Sequence, residues 1–428
     1  MTPLEPIPQP AQQQLDQLGG ADIVIGIPSF NNAETIGHVV RAAQQGLQQY
    51  FPQARGVIVN SDGGSKDGTP ERVLGAVPEE SPVVQVPYRI YPVHKFSTPY
   101  LGIPGKGSAL RNIFQISRTL GAKACAVVDS DLRSISPEWI QRLVQPIYEQ
   151  RFDFAAPYYL RHKFDGTITN SIVYPATRAL YGRRIRQPIG GEFCFSPALI
   201  EHYLSQDVWR TDVARFGIDI WVTTQAVAGG FRVCQVFLGA KIHDPKDPGS
   251  DLATMLTQVL GAMLGEVERN ASVWQKVRGS EPVPLLGNSE VHVDTEPVKV
   301  DVTRMIDSFR LGYSTLNEIW GLVLPPATLL ELKRLSRRQD NEFRFADEIW
   351  VRIIYDFTVA YHFRTLNRDH LLRALTPLYL GWVSSFVVEM ETADAAAVEE
   401  RIEKLCGIYE AQKPYLISRW RWPDRFNP

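Results

Sequence analysis

Three apolar runs of strand length each pass straight into a polar segment, and this pattern confines the chain to an α/β arrangement. Residues 21–27 (ADIVIGI) stop at Pro28, residues 56–60 (GVIVN) enter residues 61–69 (SDGGSKDGT), and residues 124–128 (ACAVV) end at Asp129. Runs with so few polar side chains suit strands covered on both faces. Helical patterns lie between them. Val39, Val40, Ala43 and Leu47 make an apolar stripe, with Asn31 or Asn32 as the expected cap and Glu34 near the positive end of the dipole. Residues 106–120 and 137–148 read as helices, the second with Pro137 in its first turn, and residues 83–86 read as a further strand. Alternating strands and helices predict a parallel sheet. Ligands of such sheets bind beyond the carboxyl ends of the strands. Residues 28–32, 61–64 and 129–131 all fall there.

The 428 residues ask for two or three folded units. Residues 1–20 are a Pro- and Gln-rich lead, expected to be flexible, and residues 21–268 hold the α/β pattern. Residues 269–301 are rich in Pro, Gly and charge and read as a linker or surface excursion. Residues 302–428 are helical in pattern, with Phe345, Trp350, Ile354 and Phe357 at core spacing. These helices are also the expected interface of a homodimer. A net charge of -2 supplies no global field for nucleic acid or an anionic membrane. Cys125, Cys194, Cys234 and Cys406 form no CxxC pair, so buried, reduced thiols are expected. No basic, apolar leader is visible, and the apolar stretch 375–388 is short for a span of roughly 20 residues. A cytoplasmic protein is the expectation.

The polar segments carry the chemistry. Asp129-Ser130-Asp131 offers two carboxylates one residue apart after a buried-type strand, which suits a hard divalent cation and its diphosphate ligand. The plainer reading is an Asp capping the next helix. His243, in residues 240–247 (AKIHDPKD), has the donor type to complete a metal site with Asp131. Lys241 and Lys246 flank it with charge suited to a leaving diphosphate, or as a solvated basic turn. Residues 102–107 (GIPGKG) lack P-loop spacing, but put glycines and Lys106 at a helix start. Glu192 in QPIGGEF and Asp219 in FGIDIW each set one acid among Gly and apolar residues. Either suits sugar hydroxyls or proton guidance, and equally the anchoring of a loop. Arg161, Lys163, Arg178, Arg183, Arg184 and Arg186 form a basic stretch that suits an acidic acceptor or a solvated surface.

In order, PSFNNAET, SDGGSKDGT, PGKGSALRN, DSD, QPIGGEF, FGIDI and AKIHDPKD resemble the retaining glycosyltransferases that make glycosylglycerates. These are the mannosylglycerate, glucosylglycerate and glucosyl-3-phosphoglycerate synthases. The resemblance covers roughly residues 22–263, and residues 343–363 (FRFADEIWVRIIYDFTVAYHF) also look like the tail of the mannosylglycerate enzymes. It implies a GT-A, Rossmann-like nucleotide-diphospho-sugar transferase domain using Mg2+ or Mn2+, followed by a helical C-terminal region. By that pattern Asp131 and His243 bind the metal, and Asp129 and Ser130 sit by the ribose and diphosphate. Pro28, Ser29, Asn32, Asp62 and Gly63 line the base and ribose. Lys106, Lys241 and Lys246 serve the donor, Gly191 and Glu192 meet the transferred sugar, and Asp219 lies near sugar and acceptor. Asn32 replaces an acid found in one branch. Thr169 matches a threonine that holds the glycerate carboxylate. Thr167 stands where the phosphoglycerate branch has a phosphate-reading arginine.

The resemblance therefore implies transfer of glucose or mannose from an ADP-, GDP- or UDP-hexose to the 2-hydroxyl of D-glycerate or a related small acid. The product would be a glycosylglycerate of the compatible-solute class. A glucosyl-3-phosphoglycerate synthase is the nearest alternative. A glycoside hydrolase using Glu192 and Asp219, or a non-catalytic nucleotide-sugar binder, are alternatives of other classes.

Overall fold

The structure is a computed structural model that describes residue 7 and residues 9–76, 93–99, 104–242, 252–287 and 300–422. In chain order its elements begin α1 (Gln9–Leu18), β1 (Ile23–Ser29), α2 (Ile36–Tyr50), β2 (Gly56–Asp62), α3 (Thr69–Gly75), β3 (His94–Pro99) and α4 (Lys106–Thr119). Next come β4 (Ala124–Val127), α5 (Pro137–Tyr148), β5 (Phe154–Leu160), a π-helical turn (Thr169–Val173), α6 (Tyr174–Tyr181) and β6 (Arg183–Arg184). They are followed by β7 (Phe193–Phe195), α7 (Pro197–Leu204), α8 (Ile218–Ala228), β8 (Val233–Ala240), α9 (Leu252–Arg269), α10 (Ala271–Trp274), β9 (Glu281–Pro282) and β10 (Leu285–Leu286). The chain closes with α11 (Val302–Gly321), α12 (Pro326–Ser336), α13 (Asp347–Phe363), α14 (Arg368–Met390) and α15 (Ala395–Arg421). Two compact units interleave along it. One comprises Met1–Leu160, Ile185–Lys246 and Val283–Thr295, and the other Arg161–Arg184, Asp247–Pro282 and Glu296–Pro428.

The first unit is built on an eight-stranded sheet in the order β10-β8-β5-β7-β4-β1-β2-β3. The apolar runs are its central strands, with every residue of β1, β2 and β4 buried. Ile23, Ile25 and Ile27 of β1 pack in one core with Val39, Val40, Ala43 and Leu47 of α2 and Ile140, Leu143 and Val144 of α5. Each of these Ile, Val and Leu side chains contributes about 1.5–3 kcal/mol by leaving water. The sheet is mixed rather than wholly parallel: β7 runs antiparallel to both β4 and β5. That reversal matters for function. The residue preceding β7 is Glu192, and it emerges at the edge where β4 and β5 end.

Several local readings change. β1 runs through Pro28 to Ser29, because its ladder to β4 has already ended at Gly26 opposite Val127 and the missing N–H breaks no bond there. α2 starts at Ile36 with Thr35 at the cap position, not Asn31 or Asn32. Asn31 instead takes a left-handed φ of 54° in the preceding loop. Within the lead, residues 9–18 form the helix α1. Within residues 269–301, β10 joins the sheet parallel to β8. The strand expected at 83–86 lies outside the described residues.

The second unit is helical. The expected core positions Phe345, Trp350, Ile354 and Phe357 are all buried. Trp350 stacks on Trp382 at 5.9 Å, and Trp382 on Phe386 at 5.3 Å. α14 has 23 residues, longer than its apolar stretch suggests, and is long and apolar enough by length and composition alone to cross a membrane. However, 72% of its most apolar stretch is buried in the protein, as in a core helix. All four cysteines are buried, and no disulfide joins any two of them.

Candidate active site

The carboxyl-end edge of the sheet gathers five charged side chains from five chain segments. Asp129 follows β4, Glu192 precedes β7, and Lys241 follows β8. Lys106 opens α4, and Asp219 lies in the first turn of α8, where the helix dipole favours a negative charge. Lys106 reaches Asp129 Oδ1 at 2.7 Å and Asp219 Oδ2 at 3.1 Å. Lys241 reaches Asp129 Oδ2 at 3.1 Å, both Glu192 oxygens at 3.0 and 2.9 Å, and the Gly190 carbonyl at 2.8 Å. Asp129 is thus bridged between two ammonium groups, and three carboxyls share two lysines.

Burial sets the electrostatics. It works against charge on Lys106, but Asp129 and Asp219 more than offset it, and the ammonium is held well above its ordinary pKa. Burial pushes Glu192 up to about 7, against the pull of Lys241. It also raises Asp219, opposed by Lys106. Asp219 Oδ1 is buried and has no hydrogen-bond partner among the described residues. Shifts of this kind, in a group of charges at a sheet edge, mark a functional site.

Backbone packing makes the cluster sterically feasible. Gly191 has a φ of +96°, and a Cβ there would collide with the Asp129 carboxylate. Gly107 brings the start of α4 against the backbone of Val213 and Ala214, where any side chain would overlap, and its N–H bonds to Arg215 O at 3.2 Å. Both glycines are therefore requirements of close approach.

The residues that the resemblance placed beside base and ribose form a second network. Ser29 Oγ donates to Asp62 Oδ1 at 2.9 Å, and Gly63 N–H donates to Ser29 O at 2.8 Å. Asp62 also accepts the Gly64 and Ser65 N–H groups at 2.8 Å each, so its carboxylate orders its own turn. Asn32 Oδ1 accepts from Phe30 N–H at 3.0 Å and Ser130 Oγ at 2.8 Å, while Thr35 Oγ1 donates to Ser130 O at 2.8 Å. An amide oxygen here accepts just as a carboxylate would. These bonds fasten the β1–α2 loop to the DSD turn. Pro28, buried, pairs with Ser61 beside them.

Asp131 is half-buried in the DSD turn. His243 and Lys246 lie outside the described residues, so their pairing with it is not on view. Ile242, the chain neighbour of His243, is bonded to the segment just after Asp131. Its carbonyl accepts Arg133 N–H at 2.9 Å, and its N–H donates to Ser134 Oγ at 2.9 Å. Among the described residues no group of three or more His, Cys, Asp or Glu side chains is arranged as a metal cage.

Thr167 and Thr169 belong to the second unit. Thr167 Oγ1 shares a hydrogen bond with Tyr379 OH at 2.5 Å, and Thr169, buried, opens the π-helical turn. Such turns recur at functional sites. Most of the basic stretch is engaged within that unit, while Arg183 stays exposed. Lys163 donates to the carbonyls of Met390, Glu391 and Ala393, Arg161 pairs with Asp165 at 3.3 Å, and Arg178 bonds Glu403 and Glu410. Arg183 and Arg184 reach Glu281 and Ser280. Arg186, in the first unit, is buried and its N–H donates to Gln235 Oε1. One residue of the charge cluster's surroundings carried no sequence signal: Tyr159, whose hydroxyl donates to Glu192 Oε2.

The mixed sheet with flanking helices is the GT-A, Rossmann-like arrangement that the motifs implied. More particularly, residues 100–265 match the family model of the mannosylglycerate synthase GT domain, which bears out the resemblance seen in the motifs. Among curated proteins none matches significantly. Solved structures similar to the chain include glucosyl-3-phosphoglycerate synthase from Mycobacterium tuberculosis with Mg2+ and UDP. It is 20% identical over 59% of this chain and 82% of that one, with a TM-score of 0.43. The same enzyme with Mn2+ and UDP-glucose is 19% identical over 62% of this chain and 84% of that one, with a TM-score of 0.43. A mycobacterial protein is 24% identical over 59% and 77%, with a TM-score of 0.41.

Proposed function

We propose that the chain is a retaining, metal-dependent hexosyltransferase that moves glucose or mannose from a nucleoside-diphosphate sugar to the 2-hydroxyl of D-glycerate. The observation that carries this reading is Asp129 of the DSD turn, bridged between Lys106 and Lys241 at the carboxyl edge of the sheet. Two cations fixed where a diphosphate departs stabilise the charge that develops as the anomeric bond breaks. Lys106 remains cationic at neutral pH, so it serves the leaving group without a proton transfer. Asp219 and Glu192 orient the sugar, and front-face attack by the acceptor hydroxyl retains the anomeric configuration without a protein nucleophile.

Asp131 and His243 are the residues proposed to hold Mg2+ or Mn2+. A hard carboxylate oxygen suits either ion, and the bonds from Ile242 to Arg133 and Ser134 support the pairing. A bound divalent cation would add Lewis-acid stabilisation of the leaving group.

Thr167 and Thr169 are the proposed acceptor residues. Free glycerate is preferred to 3-phosphoglycerate because Thr167 replaces the phosphate-reading arginine, and the neighbouring Arg161 and Lys163 are engaged by Asp165 and by backbone carbonyls. The deciding experiment incubates ADP-, GDP- and UDP-hexoses with D-glycerate, 3-phosphoglycerate or lactate, with Mg2+ or Mn2+, and reads product mass. Sugar transfer to D-glycerate is expected. Transfer to 3-phosphoglycerate alone would overturn the acceptor, and release of free sugar from glycosides without a donor nucleotide would favour a hydrolase.

A further inference from the structure

The end of β8 carries a bulge. β5 and β8 pair in register up to Tyr158 opposite Phe237, then slip so that Tyr159 faces Gly239 and Leu160 faces Ala240. Leu238 is the extra residue, and Gly239 absorbs the irregularity with a left-handed φ of +80°. Bulges bend a strand and re-aim the side chains that follow, and they concentrate beside active sites. Lys241 is the next residue along, its N–H on Leu160 O at 3.4 Å.

Tyr159 stands at the same slip. Its ring packs on Trp139 at 5.6 Å and lies 5.4 Å from the Lys241 ammonium. Its hydroxyl donates to Glu192, which is fully buried. The tyrosine therefore touches both members of the Glu192–Lys241 pair, one through a hydrogen bond and the other through the face of its ring.

We propose that Tyr159 is a positioning residue of the donor site, orienting the Glu192 carboxyl and, through it, the Lys241 ammonium that serves the leaving diphosphate. This rests on the donor-site reading above. The charged groups around Glu192 are Lys241 after β8, Asp129 after β4 and Lys106 on α4, with Tyr159 on β5. Burial raises Glu192, and the tyrosine hydroxyl is one of the groups that pull it back down. Tyr159→Phe keeps the ring packing and removes only that donor. Glu192 then keeps its proton to higher pH, and Lys241 lacks a full counter-charge through the neutral range.

The test compares the full-length wild type with Y159F. Transfer from UDP-, GDP- and ADP-glucose to D-glycerate is followed with Mg2+ from about pH 5 to 9, beside a carbon NMR titration of the Glu192 carboxyl assigned with E192Q. The acid limb of kcat is expected to move up in Y159F together with that titration. One pH unit of movement from a pKa of about 7 lowers the rate at pH 7 about fivefold, with recovery at the alkaline end and an unchanged acceptor KM. A tyrosine that merely fills the core would lower the melting temperature and scale the rate equally at every pH, which overturns the proposal. So does an active wild type whose acid limb Y159F leaves in place. A wild type that transfers no sugar from any of the three donors refutes the functional reading itself, and this inference with it.

Discussion

Both carboxylate oxygens of Glu192 lie within hydrogen-bond reach of the Lys241 ammonium, although 49 residues of chain separate the two. Neither side chain is appreciably exposed, at 0% and 6%. Buried pairs of this kind add little net stability over an apolar substitute, yet removing one partner strands the other charge at a cost of about 3–5 kcal/mol. Lys241→Met should therefore destabilise the fold by about 3 kcal/mol in denaturant titrations. Adding Glu192→Gln should recover part of that loss. Additive effects of the two changes would show that the pair is not coupled.

Gly191 offers a steric counterpart. Its φ of +96° and the proximity of the Asp129 carboxylate leave no room for a methyl group. Gly191→Ala should lower stability by about 1–3 kcal/mol and, by displacing Asp129 from between the lysines, lower kcat by about 10²-fold. Thermal unfolding and steady-state kinetics measure both. Normal kinetics with only a lowered melting temperature would separate this turn from the chemistry.

Asp219→Asn isolates one carboxyl of the cluster at nearly constant shape. The amide keeps an oxygen for Lys106 but removes the negative charge, so Lys106 leans further on Asp129. A loss of about 10²-fold in kcat is expected with little change in melting temperature. Wild-type rates in this variant would remove Asp219 from the proposed machinery.

Much of the sheet, and the charged residues gathered at its carboxyl edge, were legible in the sequence, because buried parallel strands write themselves as short apolar runs and polar segments follow at once. Asp129 was singled out from such a position, Lys106 from a glycine-rich helix start, Lys241 from a basic turn, and Glu192 and Asp219 as acids among Gly and apolar residues; the structure brings all five together. The pairing itself was not legible: which lysine meets which acid depends on the antiparallel β7 and the bulge in β8. A three-residue strand such as 193–195 is too short to carry a directional signal. Tyr159 was missed for a related reason, since an aromatic in a strand reads as core. The basic stretch 161–186 misled because exposure is invisible in sequence. Arg178 is 7% exposed, braced by two glutamates more than two hundred residues away.

The proposed metal requirement has its own test. Chelation with EDTA should abolish sugar transfer, and Mg2+ or Mn2+ should restore it in the wild type. Asp131→Ala and His243→Ala should each stay inactive after metal is returned, and each should weaken the metal-dependent rise in melting temperature with nucleoside diphosphate. Near-normal transfer in both variants would remove them as the metal site.

Asp356 gives a pH prediction for the helical unit alone. The side chain is buried on α13, with Tyr415 OH at 2.7 Å and Arg419 Nε at 3.4 Å on its Oδ1, while Oδ2 has no hydrogen-bond partner among the described residues. Burial pushes its pKa from the ordinary 3.8 up to about 7, the Tyr415 hydrogen bond and the charges of Arg419 and Arg352 opposing the shift only in part. Between those two values the folded chain holds a proton that the unfolded chain has released, so this group's contribution falls as pH rises through the window. Its ceiling is about 4 kcal/mol, at 1.36 kcal/mol per unit. Asp356→Asn cannot ionise and does not share the fall. The difference in melting temperature, variant minus wild type, should therefore grow in the variant's favour from about pH 4 to about pH 8, whatever its offset at the acid end. A difference independent of pH would mean that Asp356 stays ionised inside the fold, with Arg419 as a full counter-charge.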